Sequence, residues 1–173
     1  IIRMQGNPYP NSIGTLYDPR IIYTMPLYQR QYCWGNKELR NYRDDLEKVF
    51  SSATSSEPEY IFLGAVVLQE VEGAMASQSR HMTVIDGQQR ITTMYLTIAA
   101  LSEYAYEKGW KEDSRSIIEQ HLVSNGSGTR NEPNLKPTAK DTKQFYSILH
   151  SLRGHLITIS NTGYGEDKGK LKE

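Results

Sequence analysis

The sequence predicts an α+β domain, on three observations. Short apolar runs rich in β-branched residues occur at Ile21-Ile22-Tyr23-Thr24, from Tyr60 to Leu68 and from Arg80 to Ile85. Longer stretches elsewhere repeat apolar residues every three or four positions, as amphipathic helices do. The two patterns meet in Val84-Ile85-Asp86-Gly87-Gln88-Gln89-Arg90-Ile91-Thr92-Thr93, where a β-rich run ends at Asp-Gly and helical spacing begins with Ile91, Met94, Tyr95, Ile98 and Leu101. That stretch reads as a strand, a one-glycine turn and the first turn of a buried helix, and the rest of the chain is organised around it.

In chain order, Ile1 to Asn11 holds two prolines and little periodicity, so it is a lead-in. Arg20 to Met25 is a short strand. Pro26-Leu27-Tyr28-Gln29-Arg30-Gln31-Tyr32-Cys33-Trp34 combines aromatic, amide and basic residues, and Pro26 makes it a strand end or loop. If extended, it would place Tyr28, Tyr32 and Trp34 on one face, toward the core or toward a base. Asn36 can cap a helix with Leu39, Tyr42, Leu46, Val49 and Phe50 inward, and its mixed-charge outer face reads as solvated.

Ser51 to Glu59 is a loop. Tyr60 to Leu68 is nearly continuous in apolar character, which predicts a strand buried on both faces, with Gly64 marking a bulge or a close backbone approach. Glu72 to Ser79 is a polar loop, short enough to make the strand at Arg80 to Ile85 antiparallel to the one before it. The central helix runs to about Tyr106 and is followed by a helix from Lys111 to about Leu122. A Gly-, Asn- and Pro-rich loop from Ser124 to Pro137 has room for one short strand at 129–135. A last helix spans Lys140 to about Leu152.

Bulk properties exclude several classes. At 173 residues, the length suits one domain with a real core. Lys+Arg and Asp+Glu are both 20, so global charge offers no nonspecific pull toward nucleic acid or membrane, although a local basic patch is compatible with it. A single cysteine, Cys33, forbids an internal disulfide and a cysteine-rich zinc site, and it fits a reducing, cytoplasmic setting. No apolar run reaches the roughly 18 residues needed to span a bilayer, and no basic-then-apolar leader is present. The polar stretch from Gly163 to Lys170 has no core residues, and we expect a fragment of a longer protein. P-loop and dinucleotide glycine motifs are absent. The four histidines are scattered without metal-pair spacing, and no Ser or Cys has an identifiable base partner.

The turn at Asp86 to Arg90 is the strongest candidate site. A helix start presents unpaired N–H groups and positive partial charge, which suits a phosphate. Gly87 permits close approach of a ligand, and Arg90 supplies a permanently charged donor fork. The same residues also suit a purely structural turn, with Asp86 as helix cap and Arg90 solvated.

Three blocks, Pro26 to Trp34, Phe62 to Leu68 and Ile85 to Thr93, together with Leu135 to Phe145, resemble in order and spacing the N-terminal domain of GmrSD-type restriction proteins. The resemblance covers roughly residues 20–150 of a single domain. It implies a ParB/sulfiredoxin-like fold, a small mixed sheet with packed helices, and a role in defence against foreign, often modified, DNA. The implied partners are a nucleoside triphosphate, DNA and a C-terminal HNH nuclease domain, of which this chain carries no motif; no membrane is implied.

By position, Asp86, Gly87, Gln88, Gln89 and Arg90 match the family's nucleotide motif, and Tyr28, Gln29 and Arg30 match its first block. The expected roles follow. Arg90 and the helix amides hold phosphates, and Gln88 or Gln89 orients an attacking water. Asp86 either binds Mg²⁺ or caps the helix. Thr92 and Thr93 either donate hydroxyls or pack, Arg30 contacts phosphate or the DNA backbone, and Tyr28 stacks on a base. Two functions stay open: a nucleotide hydrolase coupled to restriction, and a binding module that senses nucleotide or modified DNA without chemistry of its own. Direct nuclease action is the weaker third, since no metal-carboxylate cluster is visible.

Overall fold

The computed structural model describes residues 12–71, 79–124 and 132–151. The expected lead-in, most of the polar loop after Glu72, the 125–131 stretch and the C-terminal tail lie outside them. The elements are α1 (Ile13–Leu16), β1 (Ile21–Thr24), α2 (Asn36–Ser52), β2 (Val67–Glu70), β3 (Arg80–Asp86), α3 (Gln88–Glu107), α4 (Lys111–Ile117), β4 (Val123–Ser124), β5 (Glu132–Pro133), β6 (Leu135–Lys136) and α5 (Thr142–Ser151). This is the small α+β domain with a mixed sheet that the sequence predicts. The sheet order is β2-β3-β1-β6, with β1 parallel to both β3 and β6 and β2 antiparallel to β3. The expected antiparallel pairing of the two middle strands is therefore present. β4 and β5 form a separate two-stranded ladder.

The core lies between the sheet and α3. Tyr23, Met25, Met82 and Val84 from the sheet meet Ile91, Met94, Tyr95 and Ala99 from the helix, with Leu122, Leu135, Phe145 and Leu149 closing the rest. Three tyrosines place their rings in the interior while their hydroxyls find carbonyls, as buried phenols require. Tyr17 donates to Ile91 O at 2.5 Å and Tyr95 to Leu122 O at 2.7 Å, and Tyr23 donates to Leu16 O. Burial pushes the Tyr17 and Tyr95 hydroxyls far above the ordinary phenol range, so both stay neutral donors. The hydroxyls of Thr93 and Ser102, polar groups within this buried helix, bond back to the carbonyls of Gln89 and Ala99.

Several expectations change. Of the Tyr60–Leu68 run only Val67 and Leu68 enter a strand, β2, and Tyr60 and Phe62 are about 90% and 87% exposed. Gly64, at φ 104°, turns the chain out of extended geometry before β2, which is an edge strand with β3 as its partner. The glycine marks a close backbone approach; the register shift falls later, between Val67 and Leu68. Asn36 is the first helical residue, and the cap is Gly35, whose N–H donates to Glu38 Oε2 at 3.0 Å. Phe50, expected inward, is exposed, and so is Leu101 on α3. α4 runs on to Leu122 as a π-turn (Ile118–Leu122), and the single strand expected near 129–135 is replaced by β5 and β6 flanking Asn134.

Removing the Tyr95 hydroxyl (Tyr95→Phe) takes away one of the two donors to the Leu122 carbonyl, which keeps Asn134 N–H, and should cost about 1 kcal/mol in urea unfolding. Tyr60→Ser should stay within about 0.5 kcal/mol of the parent. A large loss at Tyr60 would restore the buried-strand reading of that run.

Candidate functional site

The site is assembled from a segment that has no ladder of its own. After β1 the chain turns at Pro26, where Gln29 N–H donates to Pro26 O at 3.0 Å, and then runs as coil to Trp34. Backbone groups in a partly buried coil still need partners. The amides of Gln88 and Gln89 provide them, and Gln29, within the coil, ties the segment to β3. Gln29 Nε2 donates to Ile85 O (2.8 Å), Gln88 Nε2 to Arg30 O (2.9 Å) and Gln89 Nε2 to Gln31 O (3.2 Å), while Cys33 N–H donates to Gln89 Oε1 (2.8 Å). A glutamine side chain offers both donor and acceptor, so Gln89 substitutes for a missing neighbouring strand.

Tyr32 fixes the same segment through both its side chain and its backbone. Its hydroxyl lies 2.7 Å from Thr93 Oγ1, and its N–H donates to Asp141 Oδ2 at 3.0 Å. Asp141 also accepts from Thr138 Oγ1 at 2.7 Å, just before α5 begins. Burial raises the Tyr32 hydroxyl above its usual pKa, with the Thr93 bond opposing, so it remains a neutral phenol at physiological pH. Between Tyr32, α3 and α5 lies a small cleft of about 100 Å³, with Gln88, Thr92, Asp141 and Gln144 among its polar lining and Met25, Leu96 and Phe145 as its apolar floor.

The turn itself is tightly covered. Gly87 is the N-cap of α3 with φ 90°, so the Asp86 alternative as cap is not adopted; Asp86 is the exposed last residue of β3. A Cβ on Gly87 would stand 3.0 Å from Val66 Cγ2 and 3.1 Å from Ala65 O. The first intrahelical bond is Ile91 N–H to Gly87 O, so the N–H groups of Gln88, Gln89 and Arg90 have no helical acceptor. Arg90 does not simply dissolve in water. Its Nη1 donates to Ala65 O at 2.8 Å, and its side chain lies across Gly64, where a Cβ would fall 2.4 Å from Nε.

The sequence-predicted residues thus divide. Gln29, Arg30 (by its carbonyl), Gln88, Gln89 and Thr93 are brought together, with Thr92 beside them in the cleft. The side chains of Tyr28 and Arg30 are exposed, and the three aromatics do not share one face: Tyr28 is in solvent, Tyr32 bonds Thr93 and Trp34 packs at a tilt against Tyr42, ring centres 6.3 Å apart. Arg90 faces the 64–65 segment. Sequence reasoning missed Tyr32, Thr138, Asp141 and Gln144 as site components, as well as the grip of Arg90 on Gly64 and Ala65. The clue for the last was available in the isolated glycine of an apolar run. No group of three or more His, Cys, Asp or Glu side chains comes together among the described residues. No helix among them is long and apolar enough to cross a membrane.

A model of the GmrSD restriction endonuclease N-terminal domain matches residues 13–168. No curated protein matches the chain. The match takes in every residue of the site, from Met25 through Phe145.

Gln89→Met removes the donor to Gln31 and the acceptor of Cys33 together. It should cost about 1–3 kcal/mol and speed hydrogen exchange of the Cys33 amide. Unaltered exchange at Cys33 would show that the amide is not the fastening.

Proposed function

The chain belongs to the family of GmrSD restriction endonuclease N-terminal domains, and on that premise we propose that its Gly87 corner binds the phosphates of a nucleoside triphosphate and hydrolyses it. The observation that carries this is a helix start whose first three N–H groups have no acceptor among the described residues, behind a glycine and with Arg90 alongside. Arg30, exposed and one hydrogen bond from Gln88 through its carbonyl, adds a second cation within the same connection.

The roles are assigned from the geometry. The amides of 88–90 cradle phosphate oxygens, and Arg90 offsets charge developing on the transferred phosphoryl group. Gln88 is the better water-orienting candidate. Its Nε2 is tied to Arg30 O, but its Oε1 accepts no hydrogen bond among the described residues, and it lines the cleft. Gln89 has both ends of its amide engaged and acts by holding the connection in place. Asp86 is exposed at the end of β3, which fits one carboxylate ligand of Mg²⁺ whose remaining sites go to water and phosphates. Mg²⁺, when bound, would neutralise phosphate charge. Thr93 packs and bonds Tyr32, and Thr92 is the hydroxyl left facing the cleft. Exposed Tyr28 and Arg30 are the residues for contact with DNA, through a base and the backbone. The implied HNH nuclease domain would then act on the DNA so recognised.

A second reading, binding without turnover, is favoured by the engagement of Gln89 and by the fact that no three His, Cys, Asp or Glu side chains cluster among the described residues. One assay separates the two. Incubated with GTP, ATP or CTP and Mg²⁺, the domain should release phosphate. Gln88→Ala should lower that release about a hundredfold while retaining binding. Binding without release supports the module, and failure of all three nucleotides to bind removes the corner as a nucleotide seat.

A further inference from the structure

The grip of Arg90 on residues 64–65 is used by nothing described so far. Leu63 and Val66 pack against the core while Tyr60 and Phe62 are exposed, and Ala65 and Val66 lie against Gly87, so the 60–66 segment forms a strap at the turn. One polar contact holds it there, the hydrogen bond from Arg90 Nη1 to Ala65 O, and Gly64, at φ 104° and without a side chain, leaves room for that guanidinium. We propose that this strap is a latch released by an anion: phosphate at the start of α3 draws Arg90 off Ala65 O and frees the 60–66 segment with its two exposed aromatics.

The physical ground is a competition for one guanidinium. Its present acceptor is a neutral carbonyl. A phosphate oxygen carries charge, and hydrogen bonds between ionised partners are roughly twice as strong as neutral ones. A phosphate on the amides of 88–90 would sit within the first turn that also carries Arg90. With Arg90 withdrawn, the remaining hold on the strap is the packing of Leu63 and Val66, and its backbone is coil up to Val67. Occupancy of the corner is thereby converted into release of a backbone segment some residues away, the kind of two-state element through which a ligand is reported to a neighbouring domain.

This rests on the reading of the corner as a phosphate seat, and the test keeps the two apart. Calorimetry measures binding of GTP with Mg²⁺ and of inorganic tripolyphosphate to the whole chain. Limited chymotrypsin digestion, mapped by mass, measures cleavage after Tyr60 and Phe62, with cleavage after Tyr106 in α3 as the internal control. Saturating ligand should speed cleavage in the strap about tenfold, as loss of one charged hydrogen bond implies, and leave the control site unchanged. Gly64→Ala, which displaces the guanidinium, and Arg90→Met, which removes it, should each cut at the raised rate without ligand; two variants guard against one failing to fold. Binding with unchanged or slower strap cleavage overturns the latch and leaves the seat. No binding of either ligand overturns both. Variants that resist digestion like the parent overturn the latch whatever the ligand does.

Discussion

The hydrogen bonds that Gln29, Gln88 and Gln89 exchange with backbone are the constraint on which the rest of this structure depends. Residues 26–34 leave β1 without a strand beside them, and a coil so placed would leave carbonyls and amides unsatisfied against the protein. Gln88 and Gln89 supply the missing partners at 2.8–3.2 Å, and Gln29 ties the coil to the Ile85 carbonyl. The first turn of α3 and the β1–α2 connection are thereby fastened together, and Tyr32 and Asp141 extend the fastening to the start of α5. Three sequence blocks far apart in the chain meet here because their polar groups complete one another.

The opposite side of the turn is held differently. There the contact is a single guanidinium on a carbonyl, above a glycine that has no side chain to offer. Membership in a restriction endonuclease N-terminal domain family gives this asymmetry a context. A domain that reads a ligand on behalf of another domain needs one face that does not move and one that does. The amide-bonded face suits the first requirement and the Arg90 face the second.

Much of this was legible in the sequence, for definite reasons. The strand–glycine–helix corner could be read because β-branched alternation gives way to helical spacing at Gly87, and the structure places the N-cap there. The buried face of α3 and the Ile21–Thr24 strand followed from the same periodicities. The Tyr60–Leu68 run was misread because a continuous apolar stretch does not say which residues a glycine with positive φ will turn outward. Gln88 and Gln89 could be located but not apportioned: which amide is engaged on both sides depends on a loop from fifty-odd positions away. Asp141 was invisible as a site residue for the same reason, since its partner is the Tyr32 backbone 109 residues earlier.

The proposed phosphate seat is the set of Gln88, Gln89 and Arg90 amides behind Gly87, which have no acceptor among the described residues. Titration of ¹⁵N-labelled protein with GTP and Mg²⁺ reads it through the backbone amide resonances of residues 87–90. Phosphate bound there gives saturable shifts that are largest at Gln88, Gln89 and Arg90 and that tripolyphosphate reproduces. Saturable shifts confined to another part of the domain, with these three amides unmoved, would show that the seat lies elsewhere.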